Sequence, residues 1–256
     1  MSAAPPGLTD ETRADWAAMA RRTKAPPNFE VAAADRLPES ARRWLTHAIT
    51  PGTPLRTAVE LRMHGEIRLG AWRPFSAVQH LTPADGFVWA ATARLLGLPV
   101  TGFDRYTRGT GQMRWRLLNT IPVMSASGHD VTRSAAGRHA GELLLAAPAA
   151  ALSPQITWRP VDRDRATARV QVGPDAHDVT LTIAADGALK ELQMTRWGNP
   201  DKQGFGAHSF GATLHGETAF DGFTIARRIT AGWHYGSDRW PEGQFIRYTI
   251  DDAEYR

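Results

Sequence analysis

The chain has 256 residues, 42% hydrophobic and 22% charged, a composition typical of packed globular proteins that excludes fibrous, collagen-like and wholly disordered architectures. It contains no cysteine, which removes disulfide frameworks, zinc–thiolate sites, iron–sulfur clusters and thiol nucleophiles together. The net charge of +4 invites a nucleic-acid reading, but only Lys24, Lys190 and Lys202 are lysines and the arginines are scattered between acids, so no nucleic-acid partner is expected.

In chain order, the first 22 residues hold no apolar run of secretory length, and no later stretch approaches the roughly 18 apolar residues of a membrane helix. The cytoplasm is the default address, without a membrane span. Residues 1–36 read as an accessory arm. Thr9 is a helix cap, Glu11 supplies an acidic first turn, and a short helix over Thr12 to Arg22 is stopped by Pro26-Pro27. With Trp16 and Met19 as its only large anchors, this arm is expected to dock loosely or to cover a pocket. A second helix is predicted from Pro38 to Ile49, with Leu37, Ala41, Trp44, Leu45 and Ala48 on one stripe.

From Val59 the period changes to two: Val59, Leu61, Met63, Ile67 and Leu69 face one way, and Glu60, Arg62, His64, Glu66 and Arg68 the other. Further strands are predicted at 73–82, 86–96, 100–108 and 111–117, giving a five-strand meander. A helix over Thr132 to Ala147 follows, with His129-Asp130 at its start and Pro148 at its end. Seven more strands are predicted at 155–161, 166–172, 177–184, 188–197, 207–220, 223–235 and 243–251. Strands before and after one central helix, without βαβ alternation, predict an α+β protein. A sheet this long must curl, so residues 37–256 are read as one domain: a strongly curved antiparallel half-barrel or open barrel closed by the helix.

Nucleophile-elbow, phosphate-loop, zinc-helix and dinucleotide signatures are absent. The repeated His64-Gly65-Glu66 and His215-Gly216-Glu217 would hold a divalent metal only if two strands brought them together. Solvated strand surface is the preferred reading, so no metal site or cofactor is assigned. Ser125 to Asp130 resembles pieces of a hydrolytic triad, but adjacent loop residues rarely converge on one atom, and helix capping is preferred for His129-Asp130.

Asp104 and Tyr106 share a strand face and form a usable proton-transfer pair, unless Arg114 or Arg116 on the next strand simply neutralises the carboxylate. Glu142 sits among leucines, a setting suited to general acid work, or else pairs with Arg138 one turn earlier. Asp104, Tyr106 and Glu142 are therefore the candidate catalytic residues. Gln79, Trp89, Met113, Arg114, Arg116 and Trp233 are the candidate ligand-binding residues, the tryptophans for stacking on a flat or greasy molecule.

The runs LPESARRWL, PFSAVQHLTPADGFVWAA, GLPVTGFDRYTRGTGQMRWRLL and TIPVMSASGHDVTRSAAGRHAGEL resemble a family of bacterial proteins, common in actinobacteria, that carries a domain of unknown function. The resemblance covers residues 37–252 through Pro74-Phe75, Gln79, Gly86 to Trp89, Asp104, Tyr106, Gly109, Gly111, Met113, Arg133 and Glu142. In strand order it is similar to the half-barrel of lipoprotein-localisation carriers, which implies a cavity for acyl chains. Two segments depart from the family: LLLAAPAAAL after the helix glutamate, and Leu214 to Thr218 near the end, both expected near the mouth. The leading expectation is binding of an apolar or amphipathic small molecule between sheet and helix. The alternative is a cofactor-free cyclase, isomerase or dehydratase of secondary metabolism acting in the same cavity.

Overall fold

The computed structural model describes residues 4–21 and 26–256. Two short helices come first, α1 (Asp10–Met19) and α2 (Glu39–Ala48). Six strands follow as a meander: β1 (Val59–Leu69), β2 (Ala71–Thr82), β3 (Gly86–Leu95), β4 (Leu98–Thr107), β5 (Thr110–Leu117) and β6 (Ile121–Ser127). The long helix α3 (His129–Ala146) leads to a second meander, β7 (Ile156–Pro160), β8 (Arg165–Val172), β9 (Asp175–Ile183), β10 (Leu189–Gly198), β11 (Gly206–Phe220), β12 (Phe223–Trp233) and β13 (Gln244–Tyr255), with the one-turn α4 (Trp240–Gly243) before its last strand.

All thirteen strands belong to one antiparallel sheet in the order β6-β5-β4-β3-β2-β1-β13-β12-β11-β10-β9-β8-β7. The meanders join where β1 pairs with β13, Met63 opposite Ile250 and Ile67 opposite Ile246. The chain therefore leaves one edge strand, β6, crosses the sheet as α3, and enters the opposite edge strand, β7. Because α3 packs on strands of both halves, the sheet curls around it as a half-barrel, and the fold is α+β.

Strand parity sets the two faces. Val59, Leu61 and Met63 of β1, Phe75 and Ala77 of β2, Phe87 and Trp89 of β3, and Leu192 and Met194 of β10 turn inward to one core with Leu143 and Leu144 of α3. Gly137 lets β10 approach the helix closely: a Cβ there would stand 3.2 Å from Arg196 Cγ, whereas one on Gly141 would meet Met194 Sδ at 3.5 Å, an ordinary contact. The stripe predicted for the second helix is buried as expected at Ala41, Trp44, Leu45 and Ala48.

The arm helix starts at Asp10, where the Thr9 hydroxyl accepts from the Thr12 amide at 3.2 Å, while Arg22 lies outside the described residues. Its anchors Trp16 and Met19 are buried on the outer face of the sheet against Val88, Ala90 and Phe103. Asp15 adds a buried ion pair to Arg105 at 2.7 Å, accepts from the Thr107 hydroxyl at 2.8 Å and meets Arg108. The described part of the arm thus neither docks loosely nor covers the cavity: α1 is clamped to the opposite face.

The strand β6 falls where a loop was expected. Ile121 and Val123 are strand formers, but the residues of β6 are mostly exposed and include Pro122, so no inward–outward alternation marks it, and Pro122 is tolerated because β6 is an edge strand.

Candidate functional site

A cavity of about 270 Å³ lies between α3 and the concave face of the sheet. Most of its wall is apolar, from Met63 and Ile67 of β1 to Leu192 and Met194 of β10 and Ile229 of β12, with Leu145 of α3 above. Beside it a wider chamber of about 730 Å³ shares Ile67, Asp104, Met113, Trp233 and Phe245, and runs out toward Leu69, Val123 and Met124 at the end of the sheet.

The polar end is a chain of side chains along α3. Arg138 donates from Nε to Glu142 at 2.7 Å and from Nη1 to Asp104 at 3.1 Å, so one guanidinium holds both carboxylates. Trp115 donates its indole N–H to Asp104 at 3.0 Å, and Gln79 donates its amide to Glu142 at 2.6 Å. Arg138 also lies over the rings of Phe87 and Trp89, at 4.6 and 5.2 Å. Burial pushes the Asp104 carboxyl above the usual carboxylate range against the pull of Arg138.

Arg196 completes the group. It donates from Nε to the Ser134 carbonyl at 3.1 Å and reaches the Ser134 hydroxyl at 3.4 Å, with Phe210 and Trp233 against its guanidinium at 4.8 and 5.2 Å. Among the described residues it has no carboxylate in ion-pair contact. Burial, with the neighbouring charge of Arg138, lowers its pKa to about 10. Tyr248 of β13 also lines the cavity, its phenol pushed up by burial and by Glu142.

Of the residues singled out from the sequence, Gln79, Trp89, Asp104, Met113, Glu142 and Trp233 line this cavity. Tyr106 faces inward with Asp104 but lies outside the lining. It sits two residues further along β4, stacked on His139 with centroids 5.9 Å apart. Arg114 and Arg116 pair with Phe103 and Thr101, whose side chains take the outer face, so neither arginine enters the cavity. The Arg138–Glu142 salt bridge forms as the spacing allows, yet inside the site rather than on solvated surface.

Arg196 and Tyr248 were not singled out from the sequence. Parity marks the first, since Leu192, Met194 and Arg196 alternate and leave one charge on an apolar face.

The two His-Gly-Glu segments do not meet. His64, Thr249, Arg228 and His215 follow one another across four strands, which separates the two histidines by about 14 Å. His64 bonds Asp251 at 2.8 Å, and Glu217 bonds His47 at 3.0 Å. Asp130 is not a cap: α3 starts after Gly128, at φ 100°, and Asp130 accepts from the Trp197 indole at 2.9 Å.

No curated protein matches this chain in sequence. Among solved structures it is similar to a Vibrio parahaemolyticus domain assigned to outer membrane lipoprotein sorting, at 9% identity and a TM-score of 0.40, over 88% of this chain and 92% of that one. It is also similar to a LolA-superfamily protein from Nitrosomonas europaea, at 7% identity and a TM-score of 0.43, over 85% and 92%. The model of a family of unknown function, DUF6544, matches residues 27–245, and the chain belongs to that family.

Proposed function

We propose that this protein binds an amphipathic small molecule between the curved sheet and α3, with its apolar part among Met63, Leu192, Met194 and Ile229 and an acidic head group against Arg196. The observation that supports this reading is an apolar cavity with one buried guanidinium that no carboxylate of the described residues pairs. A buried cation without an anion is costly, and an acidic ligand would offset that cost where the protein does not. At about 270 Å³ the inner cavity is small for a drug-sized ligand, so a longer chain would continue into the adjoining chamber.

Displacement of a fluorescent long-chain carboxylic acid tests the reading. The expected result is saturable one-to-one binding, weakened when the acid is replaced by its methyl ester. Equal binding of acid and ester would remove the role given to Arg196, and no saturable binding of either would remove the reading.

A second reading rests on Asp104, whose raised pKa inside an apolar cavity suits proton transfer. A cofactor-free cyclase, isomerase or lyase would use Asp104 and Glu142, with Tyr248 as the phenol in place of Tyr106. Asp104→Asn and Glu142→Gln separate the two readings. A carrier keeps its ligand through both changes, whereas an enzyme retains ligand and loses turnover.

A further inference from the structure

Most of the large apolar side chains left exposed among the described residues cluster at one end of the sheet. Leu69 lies at the β1–β2 tip, and Leu96 and Leu98 at the β3–β4 tip, where Leu96 is 85% exposed. The β5–β6 hairpin adds Leu118, Ile121, Val123 and Met124. These three tips point the same way because alternate connections of an antiparallel meander share an end. The turns at the other end, Pro83 to Asp85 and Arg108 to Gly109, carry no large apolar residue.

Backbone conformation gives a second, independent observation. Leu96 and Leu118 occupy left-handed turn positions, at φ 51° and 52°. Asparagine or glycine takes this conformation at lower cost, and a branched apolar side chain is a poor choice for it. Leucine at two neighbouring tips runs against local propensity and against solvation, so both side chains have a use outside the fold.

Charge selects the partner. Residues 67–73, 93–99 and 114–124 hold Arg68, Arg73, Arg94, Arg114 and Arg116 and no acidic residue. Arg68 and Arg94 bond only backbone carbonyls, of Glu242 and Gly97, and no carboxylate among the described residues pairs any of the five. A second copy of this chain would bring two arginine collars together. Nucleic acid would find aliphatic tips: Trp72 beside them already holds Arg247 over its ring at 4.6 Å, and Trp115 is buried. A bilayer bearing acidic lipids satisfies both features, apolar tips in the headgroup–acyl boundary and arginines among the phosphates.

We propose that the β1–β2, β3–β4 and β5–β6 tips dock this protein on an anionic membrane surface. Leu69, Val123 and Met124 also line the outer chamber, so docking turns the mouth of the cavity toward the lipid. This inference stands on the tips alone and does not depend on what the cavity holds.

Flotation of the full chain with lipid vesicles tests it, using phosphatidylcholine alone or with phosphatidylglycerol as a minor component. The wild type is expected to float with the anionic vesicles, weakly with the neutral ones, and less at high salt. The variant carrying Leu96→Asn and Leu118→Asn should lose at least tenfold in binding while its melting temperature holds or rises. Gly141→Leu, which fills the inner cavity, should float as the wild type does. No flotation with anionic vesicles, or equal flotation of the double variant, would overturn the proposal. So would a wild-type dimer in sedimentation equilibrium that the double variant dissociates.

Discussion

The Gln79 amide on β2 donates to the Glu142 carboxylate on α3 at 2.6 Å, tying the first meander to the helix that crosses it. Arg138 occupies the other oxygen of Glu142 at 2.7 Å, so each carboxylate oxygen has a donor. Gln79→Leu removes one donor and leaves a polar atom facing an apolar wall. Leaving such a group unpaired costs about 1–3 kcal/mol, and chemical denaturation should show a loss of that size. A loss near zero would mean that water replaces Gln79 at no cost.

Arg196 gives the ligand prediction. Arg196→Gln keeps polarity at the Ser134 contacts and removes the positive charge, so affinity for an acidic amphiphile should fall at least tenfold, about 1.4 kcal/mol. Affinity for the neutral ester of the same chain should be unchanged. Parallel loss of both would show that the variant harms the cavity rather than the head-group contact.

Acid should weaken the fold through its buried histidines. His139 is 1% exposed, between Phe87 and Tyr106, and burial lowers its pKa from 6.5 to about 4. His80 and His177 shift the same way, again chiefly through burial. The unfolded chain then binds more protons than the folded one between pH 6.5 and 4, so stability is full above 6.5 and is lost as pH falls through that window. For His139 alone the loss approaches about 3 kcal/mol at pH 4. His139→Phe should flatten the melting-temperature profile over this range, and an unchanged slope would place the acid sensitivity elsewhere.

The clamp of α1 is a stability element. Asp15 and Arg105 each keep 5% of their side-chain surface exposed. Asp15→Ala leaves Arg105 with the exposed Glu11, at 2.9 Å, as its one carboxylate among the described residues, beside the neutral Gln112 at 3.0 Å, and should cost about 3 kcal/mol, the low end for breaking a buried pair. Trp16→Ala should cost about as much by opening the cluster with Val88 and Phe103. Wild-type stability in both variants would mean that α1 is dispensable.

Much of this architecture is legible in the sequence, for a physical reason. Period-two alternation in β1 puts Val59, Leu61 and Met63 inward and His64 outward, as it must when one face packs and the other is wet. The junction of β1 with β13 is another matter, since a pairing about 190 residues apart leaves no local trace. Parity also brought Asp104 and Tyr106 to one face correctly, but parity carries no depth. Two residues further along β4 is about 6.6 Å, enough to move the phenol from the cavity to a stack on His139. Arg114 and Arg116 looked available for the cavity because their strand follows Asp104, and the cross-strand register with Phe103 and Thr101 sends them outward.

The measurement that bears most directly on the cavity as a ligand site is native mass spectrometry of the full chain presented with a long-chain carboxylic acid, wild type beside two variants at Gly141. A Cβ at Gly141 meets Met194 and Leu192 at 3.5 and 3.6 Å, ordinary contact distances, so Gly141→Ala fits the fold and leaves most of the cavity open. Gly141→Leu fits the helix and projects into the space. The account predicts one bound acid per chain for the wild type and Gly141→Ala, and none for a folded Gly141→Leu. Equal loading of all three would place the ligand outside the cavity and contradict it.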